Sequence, residues 1–214
     1  MNLKPSGSER RRFRNETPQI CAICGSTEDL KVDHDHTTGQ IRGMLCQFHN
    51  VALGYYEKDR FLIDKFEAYL SDHGIRIGRP EMFLKIAYRF ARRSTCPRKA
   101  VGAVIVRDNR IIAHGYNGAP PGMPHCTEVG CDISPVTGGC QRALHAELNA
   151  ITYASRKGVS TEGAIAYLTL SPCLYCAKFM VTAGIAEVLF HERYRNEDGL
   201  DFLREAGVKV KGLK

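Results

Sequence analysis

Two short stretches of this chain carry residues that can hold and use a metal ion: His145-Ala146-Glu147 and Pro172-Cys173-Leu174-Tyr175-Cys176. One imidazole and two thiolates give a tetrahedral zinc three protein ligands and leave its fourth position to water, as in a catalytic site. A structural site closes that position with a fourth ligand. Cys173 and Cys176 stand three apart at the expected start of a helix, so they face one side. Pro172 suits the first helical turn, and the helix dipole favours the thiolate form. Glu147 is two residues from His145, which places it for proton transfer to and from water rather than for ligation.

The remaining seven of nine cysteines also fall into groups. In a chain that begins without the apolar core of a secretion signal, they point to metal rather than to disulfides. Cys21-Ala-Ile-Cys24 and Cys46-Gln-Phe-His49 have the spacing of a structural Cys3His zinc site, which explains how so small a unit could fold. Cys96, Cys126, Cys131 and Cys140 read either as a second closed zinc site pinning the 117–141 loop or as small buried hydrophobes. His125 could displace one of the four.

Elements that would position these residues follow from periodicity and punctuation. Residues 1–17 are expected as a flexible basic arm, 18–73 as a small zinc-stabilised domain of ββα type, 74–80 as a linker and 81–214 as the larger domain. Helices are expected over Phe61–Leu70, Met82–Arg93, Arg142–Ser155, Pro172 to about Ala183, and Gly199–Ala206. Strands are expected over Val101–Val106, Ile111–Gly115, Ala164–Leu170, Ala186–Phe190 and Val208–Val210, with Asp108-Asn109 turning the first into the second. The larger domain thus reads as α/β, a mixed sheet with helices on both faces.

Charge separates the two parts. Residues 1–80 hold 12 Lys+Arg and 11 Asp+Glu, whereas 81–214 hold 18 and 12. The basic larger part suits a phosphate-bearing ligand, and the run Arg10-Arg11-Arg12-Phe13-Arg14 reads either as a solvated tail or as a nucleic-acid contact. No apolar run approaches the ~20 residues of a membrane span. The expectation is a cytoplasmic protein without membrane partners, in the host cytoplasm if phage-encoded.

His-x-Glu followed by Pro-Cys-x-x-Cys is the pattern of the zinc nucleobase deaminases. Residues 94–184 resemble the deoxycytidylate (dCMP) deaminase family of the cytidine deaminase superfamily. The resemblance is carried by Lys99-Ala-Val-Gly-Ala-Val-Ile-Val106, Gly115-Tyr-Asn-Gly118, His145-Ala-Glu-Leu-Asn-Ala-Ile151 and Pro172-Cys-Leu-Tyr-Cys-Ala-Lys178. It implies a cytidine deaminase-like fold, with catalytic zinc on His145, Cys173 and Cys176 and with Glu147 as the proton carrier. It implies substrate contacts at Asn117, Ala146, Ser171 and Tyr194, although Tyr194 reads equally as a buried core residue. By analogy alone it implies an allosteric nucleotide at Gly115, Tyr116 and Gly118, control by dCTP and dTTP with Mg2+, and a homo-hexamer. The implied reaction is hydrolysis of dCMP to dUMP and ammonia, supplying thymidylate synthesis.

Residues 18–72 resemble the recombination endonuclease VII branch of the HNH nucleases, through Val32-Asp-His-Asp-His-Thr-Thr-Gly39 and Arg42-Gly-Met-Leu45. That resemblance implies a divalent ion such as Mg2+ at Asp33 and Asn50, with His34 activating water. His49 departs from it, standing where the last zinc ligand is usually cysteine. The unit reads either as an active nuclease or as a retained zinc-binding module. The alternatives for the whole chain are therefore a polynucleotide base deaminase or a deaminase combined with a nuclease.

Overall fold

The computed structural model describes residues 3–74, 76–136 and 138–213. Met1 and Asn2 of the expected arm, Ile75 of the expected linker, Thr137 of the cysteine-bearing loop, and Lys214 lie outside the described residues. Met1–Arg76 and Ile77–Lys214 form two compact units.

In the first unit, β1 (Leu30–His34) and β2 (Ile41–Cys46) form an antiparallel hairpin with a bulge between Asp33 and His34. The helices α2 (Gln47–Lys58) and α3 (Leu62–Asp72) follow. The hairpin plus α2 is the expected ββα arrangement. The expected flexible arm is instead largely a helix, α1 (Gly7–Glu16). It buries no residue, so no apolar period announces it. A capping box closes it: Ser6 Oγ accepts from Glu9 N at 3.2 Å, and Glu9 Oε2 accepts from Ser6 N at 2.7 Å.

The second unit opens with α4 (Arg79–Ala91), which takes in Arg79 and Pro80 from the expected linker, with Pro80 in its first turn. The strands β3 (Gly102–Arg107), β4 (Arg110–Tyr116), β5 (Ile165–Leu170), β6 (Glu187–Glu192) and β7 (Lys209–Gly212) form one sheet of order β4-β3-β5-β6-β7. β3 is antiparallel to β4 and β5, and the other pairs are parallel. Between β3 and β4, Asp108 and Asn109 take φ of 51° and 60°, the left-handed pair of a two-residue hairpin turn. The short α5 (Cys126–Val129) lies in the loop, followed by α6 (Ala146–Arg156), α7 (Leu174–Thr182) and α8 (Asp198–Glu205).

Alternation along the strands builds two cores. Val104, Val106, Tyr167 and Leu189 pack with Phe83 and Ala87 of α4 on one face. Ala103, Ile105, Ala166, Leu168, Val188 and Phe190 pack with alanines of α6, Met180 of α7 and Leu200 and Leu203 of α8 on the other. Helices therefore cover both faces, as expected. No helix among the described residues is long and apolar enough to cross a membrane.

Candidate active site

The second helical face of the sheet presents two helix N-termini to one another. His145 is the N-cap of α6, with φ −71° and ψ 153°, and Cys173 is the N-cap of α7. Both positions correct the expected helices. Arg142–Leu144 are not helical, because Leu144 pairs with Gly118 in a bridge (Gly118 N to Leu144 O 3.1 Å, Leu144 N to Gly118 O 2.9 Å). Pro172 precedes the N-cap instead of opening the helix. Cys176, in the first turn of α7, and Cys173 then lie on one side of it.

His145 Nδ1 stands 3.6 Å from Cys173 Sγ and 3.3 Å from Cys176 Sγ. In tetrahedral zinc with sulfur at about 2.3 Å and nitrogen at about 2.0 Å, the ligand–ligand edges are about 3.5–3.8 Å. The donor set and its spacing fit that ion. Among the protein groups, the thiols share a proton. The hydrogen bond from Cys176 and the His145 imidazole hold Cys173 down to about 4 against its burial. The same hydrogen bond and burial push Cys176 upward. The Cys173 thiolate raises His145 to about 9. Such a proton-sharing cluster is one that a divalent cation can take over by displacing protons. Glu147, in the first turn of α6, is 5% exposed, and burial raises its pKa.

Two glycines let the helices come this close. A Cβ on Gly115 of β4 would sit 2.2 Å from Ala146 O and 2.6 Å from Ala150 N of α6. One on Gly199 of α8 would sit 2.2 Å from Pro172 O and 2.8 Å from Cys173 C. Gly115, expected at an effector site, is thus buried beneath the helix that His145 caps. Tyr116 O accepts from Asn149 Nδ2 at 2.8 Å, which ties the same stretch to α6.

A cavity of about 260 Å³ is lined by His145, Ala146, Glu147 and Cys173 together with Asn117, Ser171 and Tyr194. The four expected substrate contacts therefore come together with two of the three expected metal ligands, His145 and Cys173. Asn117 is buried: its Oδ1 accepts from Val101 N and its Nδ2 donates to Lys99 O, each at 2.8 Å. Ser171 Oγ accepts from Tyr194 N at 2.7 Å. Tyr194 is half-buried and lines the cavity, with the Arg195 guanidinium 5.1 Å from its ring centre. Arg98, Lys99 and Arg195 line the same cavity. Sequence reasoning had not singled out these cations; the signal available was the basic balance of residues 81–214.

Cys126, Cys131 and Cys140 form a second cluster, with Cys126 Sγ 3.6 Å from Cys140 Sγ. Burial pushes the Cys126 thiol up to about 12. Cys96 is not in this group; it lines the cavity of His145 and Glu147 with Cys140, and after burial and Cys140 it adds to the upward shift of the Cys131 thiol. His125 faces Thr95 Oγ1 at 3.1 Å.

In the first unit, Cys21, Cys24, Cys46 and His49 come together as expected. Cys46 is the N-cap of α2 and its Sγ lies 3.2 Å from His49 Nδ1, the same cap-plus-three device as in α7. Cys24 and Cys46 Sγ are 3.9 Å apart, again a zinc edge. Asp33, His34 and Asn50 line one cavity of about 650 Å³, and α1 adds Arg10, Arg11 and Arg14 to it. Asp33 is already engaged: its oxygens accept from Arg42 Nε at 2.7 Å and Nη2 at 2.9 Å, and Arg42 also reaches Glu57. His34 Nε2 is buried without a hydrogen-bond partner among the described residues, and burial lowers its pKa.

Comparison with known proteins agrees with this geometry. Residues 78–192 match the family model described as the cytidine and deoxycytidylate deaminase zinc-binding region. The chain belongs to that family. Residues 2–72 match the model described as recombination endonuclease VII. The deaminase part is 43% identical over 140 residues to ComE operon protein 2 of Bacillus subtilis (strain 168), spanning 65% of this chain and 73% of that protein. It is 36% identical to the deoxycytidylate deaminase of Enterobacteria phage T4, over 59% of this chain and 86% of that one. Among solved structures it resembles dCMP deaminase from the cyanophage S-TIM5 in complex with dCMP and dUMP. That likeness has a TM-score of 0.56 and 36% identity, over 62% of this deaminase chain and 95% of the phage chain.

Proposed function

We propose that the second unit hydrolyses the exocyclic amino group of dCMP, giving dUMP and ammonia. The observation that carries this reading is one cavity lined by Glu147, His145 and Cys173, two members of the donor set that Cys176 completes, beside Arg98, Lys99 and Arg195. The donor set would hold zinc, which when bound supplies Lewis acidity and brings water toward ionisation near neutral pH. Glu147 takes one proton from water and passes it to the pyrimidine nitrogen. It then takes the second from the hydroxyl added to the ring and passes it to the departing amine, so the ring keeps one proton and ammonia carries off the other. Burial suits it to that exchange, because a carboxyl with a raised pKa both accepts and releases protons readily. Asn117 and Ser171 position the nucleoside, Tyr194 offers a ring face to the base, and the cations recognise the 5′-phosphate. The phage relative crystallised with dCMP and dUMP supports the substrate class. Control by dCTP and dTTP at Gly115, Tyr116 and Gly118, Mg2+ with those effectors, and assembly into a hexamer rest on resemblance alone.

Turnover of dCMP measured beside dCTP and a cytosine-containing oligonucleotide tests the reading. Deamination of the oligonucleotide with dCMP untouched would sink it in favour of a polynucleotide deaminase.

A second reading concerns the first unit, where one cavity gathers Asp33, His34 and Asn50 with three arginines of α1. The unpartnered His34 Nε2 is suited to activating water. The bidentate grip of Arg42 on Asp33 opposes metal-dependent cutting, since the guanidinium offsets the carboxylate's charge and occupies one lone pair on each of its oxygens. Of the two roles, this favours a zinc-held module, and nicking of plasmid DNA in Mg2+ would reverse the choice.

A further inference from the structure

Lys99, one of the three cations of the catalytic cavity, has a carboxylate partner, Glu192, that lies outside the cavity lining. Glu192 ends β6 in parallel register with Leu170, and its carbonyl accepts from Ser171 N at 2.8 Å. It is therefore fixed to the strand end that leads into Cys173. One carboxylate oxygen takes the Lys99 ammonium and the other accepts from Tyr88 O–H of α4 at 3.2 Å. Tyr88 in turn lies 2.5 Å from His191 Nδ1. The backbone of Lys99 is fixed separately, through its carbonyl and Asn117 Nδ2. Lys99 is thus anchored at both ends, one of them beside the nucleoside contact expected at Asn117.

We infer that Glu192, braced by Tyr88, is a positioning residue that holds the Lys99 ammonium at the catalytic cavity, where Lys99 selects for a phosphorylated over an unphosphorylated nucleoside. An ammonium has three N–H donors, so the bond to Glu192 leaves others for phosphate oxygens. A flexible lysine held in advance loses less freedom on meeting its ligand. Because Glu192 itself does not line the cavity, it orients the cation without adding a negative charge to that lining. An exposed ion pair with no such role contributes little to anything, and the two cases predict different kinetics.

The inference rests on the dCMP reading, and the test keeps the two apart. Zinc-loaded full-length protein and its Glu192→Gln, Lys99→Met and double variants are assayed on dCMP and on deoxycytidine. The ratio of kcat/KM for dCMP to that for deoxycytidine is expected to fall about tenfold in Glu192→Gln, mostly through KM. It should fall at least as far in Lys99→Met and no further in the double variant, because the two residues act as one device. Tyr88→Phe is expected to give a smaller fall in the same direction. A ratio unchanged in Glu192→Gln, or fully additive effects in the double variant, overturns the inference. Calorimetric titration with inorganic phosphate supplies an arm independent of turnover. Weaker phosphate binding in Glu192→Gln upholds the positioning role even if the wild-type protein leaves dCMP untouched, an outcome that would sink only the substrate reading. Equal phosphate binding overturns the role.

Discussion

Replacing Gly199 by alanine should loosen the catalytic metal site although Gly199 is not one of its donors. The new Cβ would stand 2.2 Å from Pro172 O, 2.8 Å from Cys173 C and 3.0 Å from Cys173 O, all backbone atoms. Reaching ordinary contact at 3.4 Å requires an opening of about 1.2 Å along the closest approach. Leu200 and Leu203, on the same helix and fully buried, oppose a shift of α8, so the strain falls on the peptide that carries Cys173. Ligand positions in a metal site tolerate about 0.2 Å. Overpacking of this kind costs about 1–3 kcal/mol of stability, and loss of support around a metal ligand weakens affinity about 10–100-fold. Competition with a chromophoric chelator should therefore release one zinc equivalent from Gly199→Ala at correspondingly lower chelator concentration, with a lowered unfolding temperature. Gly212→Ala is the control, because its Cβ would meet only Phe190 ring atoms at 3.6–3.7 Å. A Gly199→Ala protein with wild-type zinc affinity and wild-type melting would refute the reasoning.

Other outcomes follow from the clusters and caps. Elemental analysis of purified protein should find three zinc ions per chain, from the three donor groups among the described residues; a count of one would remove both structural sites. Arg42→Ala strands Asp33, whose side chain is 10% exposed, and should destabilise the first unit by about 3 kcal/mol in denaturant unfolding. No change there would mean that the ion pair contributes nothing. Ser6→Ala breaks the capping box of α1 and should cost about 1 kcal/mol of helix stability, read as faster amide exchange over Gly7–Glu16.

How much of this was legible depended on whether the signal was local. His145-x-Glu147 and Cys173-x-x-Cys176 state their chemistry within a few residues, and so does the Cys21/Cys24/Cys46/His49 set. Asp108-Asn109 states its turn, because asparagine and aspartate tolerate the left-handed region that a two-residue hairpin needs. Helix α1 escaped because a helix with no buried residue has no apolar period, and only Ser6-x-x-Glu9 marked its start. The early start expected for α6 failed because Leu144 finds its hydrogen bonds across the chain, at Gly118. The basic balance of residues 81–214 hinted at a phosphate-bearing ligand but not at which cations meet it. Arg98, Lys99 and Arg195 meet only after β3, β5 and β6 have paired, and Glu192 reaches Lys99 across 93 positions of sequence. The roles of Gly115 and Gly199 are of the same kind: what each glycine avoids is a helix backbone that folding alone brings there.

The central claim is that Glu147, beside the His145–Cys173–Cys176 donor set, carries the proton in deamination of dCMP. Ammonia and dUMP released from dCMP by zinc-loaded wild-type protein, measured beside Glu147→Gln at equal zinc content, test it most directly. The expected result is steady turnover by the wild type and a loss of about 10²–10⁴-fold in the variant. No dUMP from the wild type, or a variant that keeps its activity, would contradict the claim.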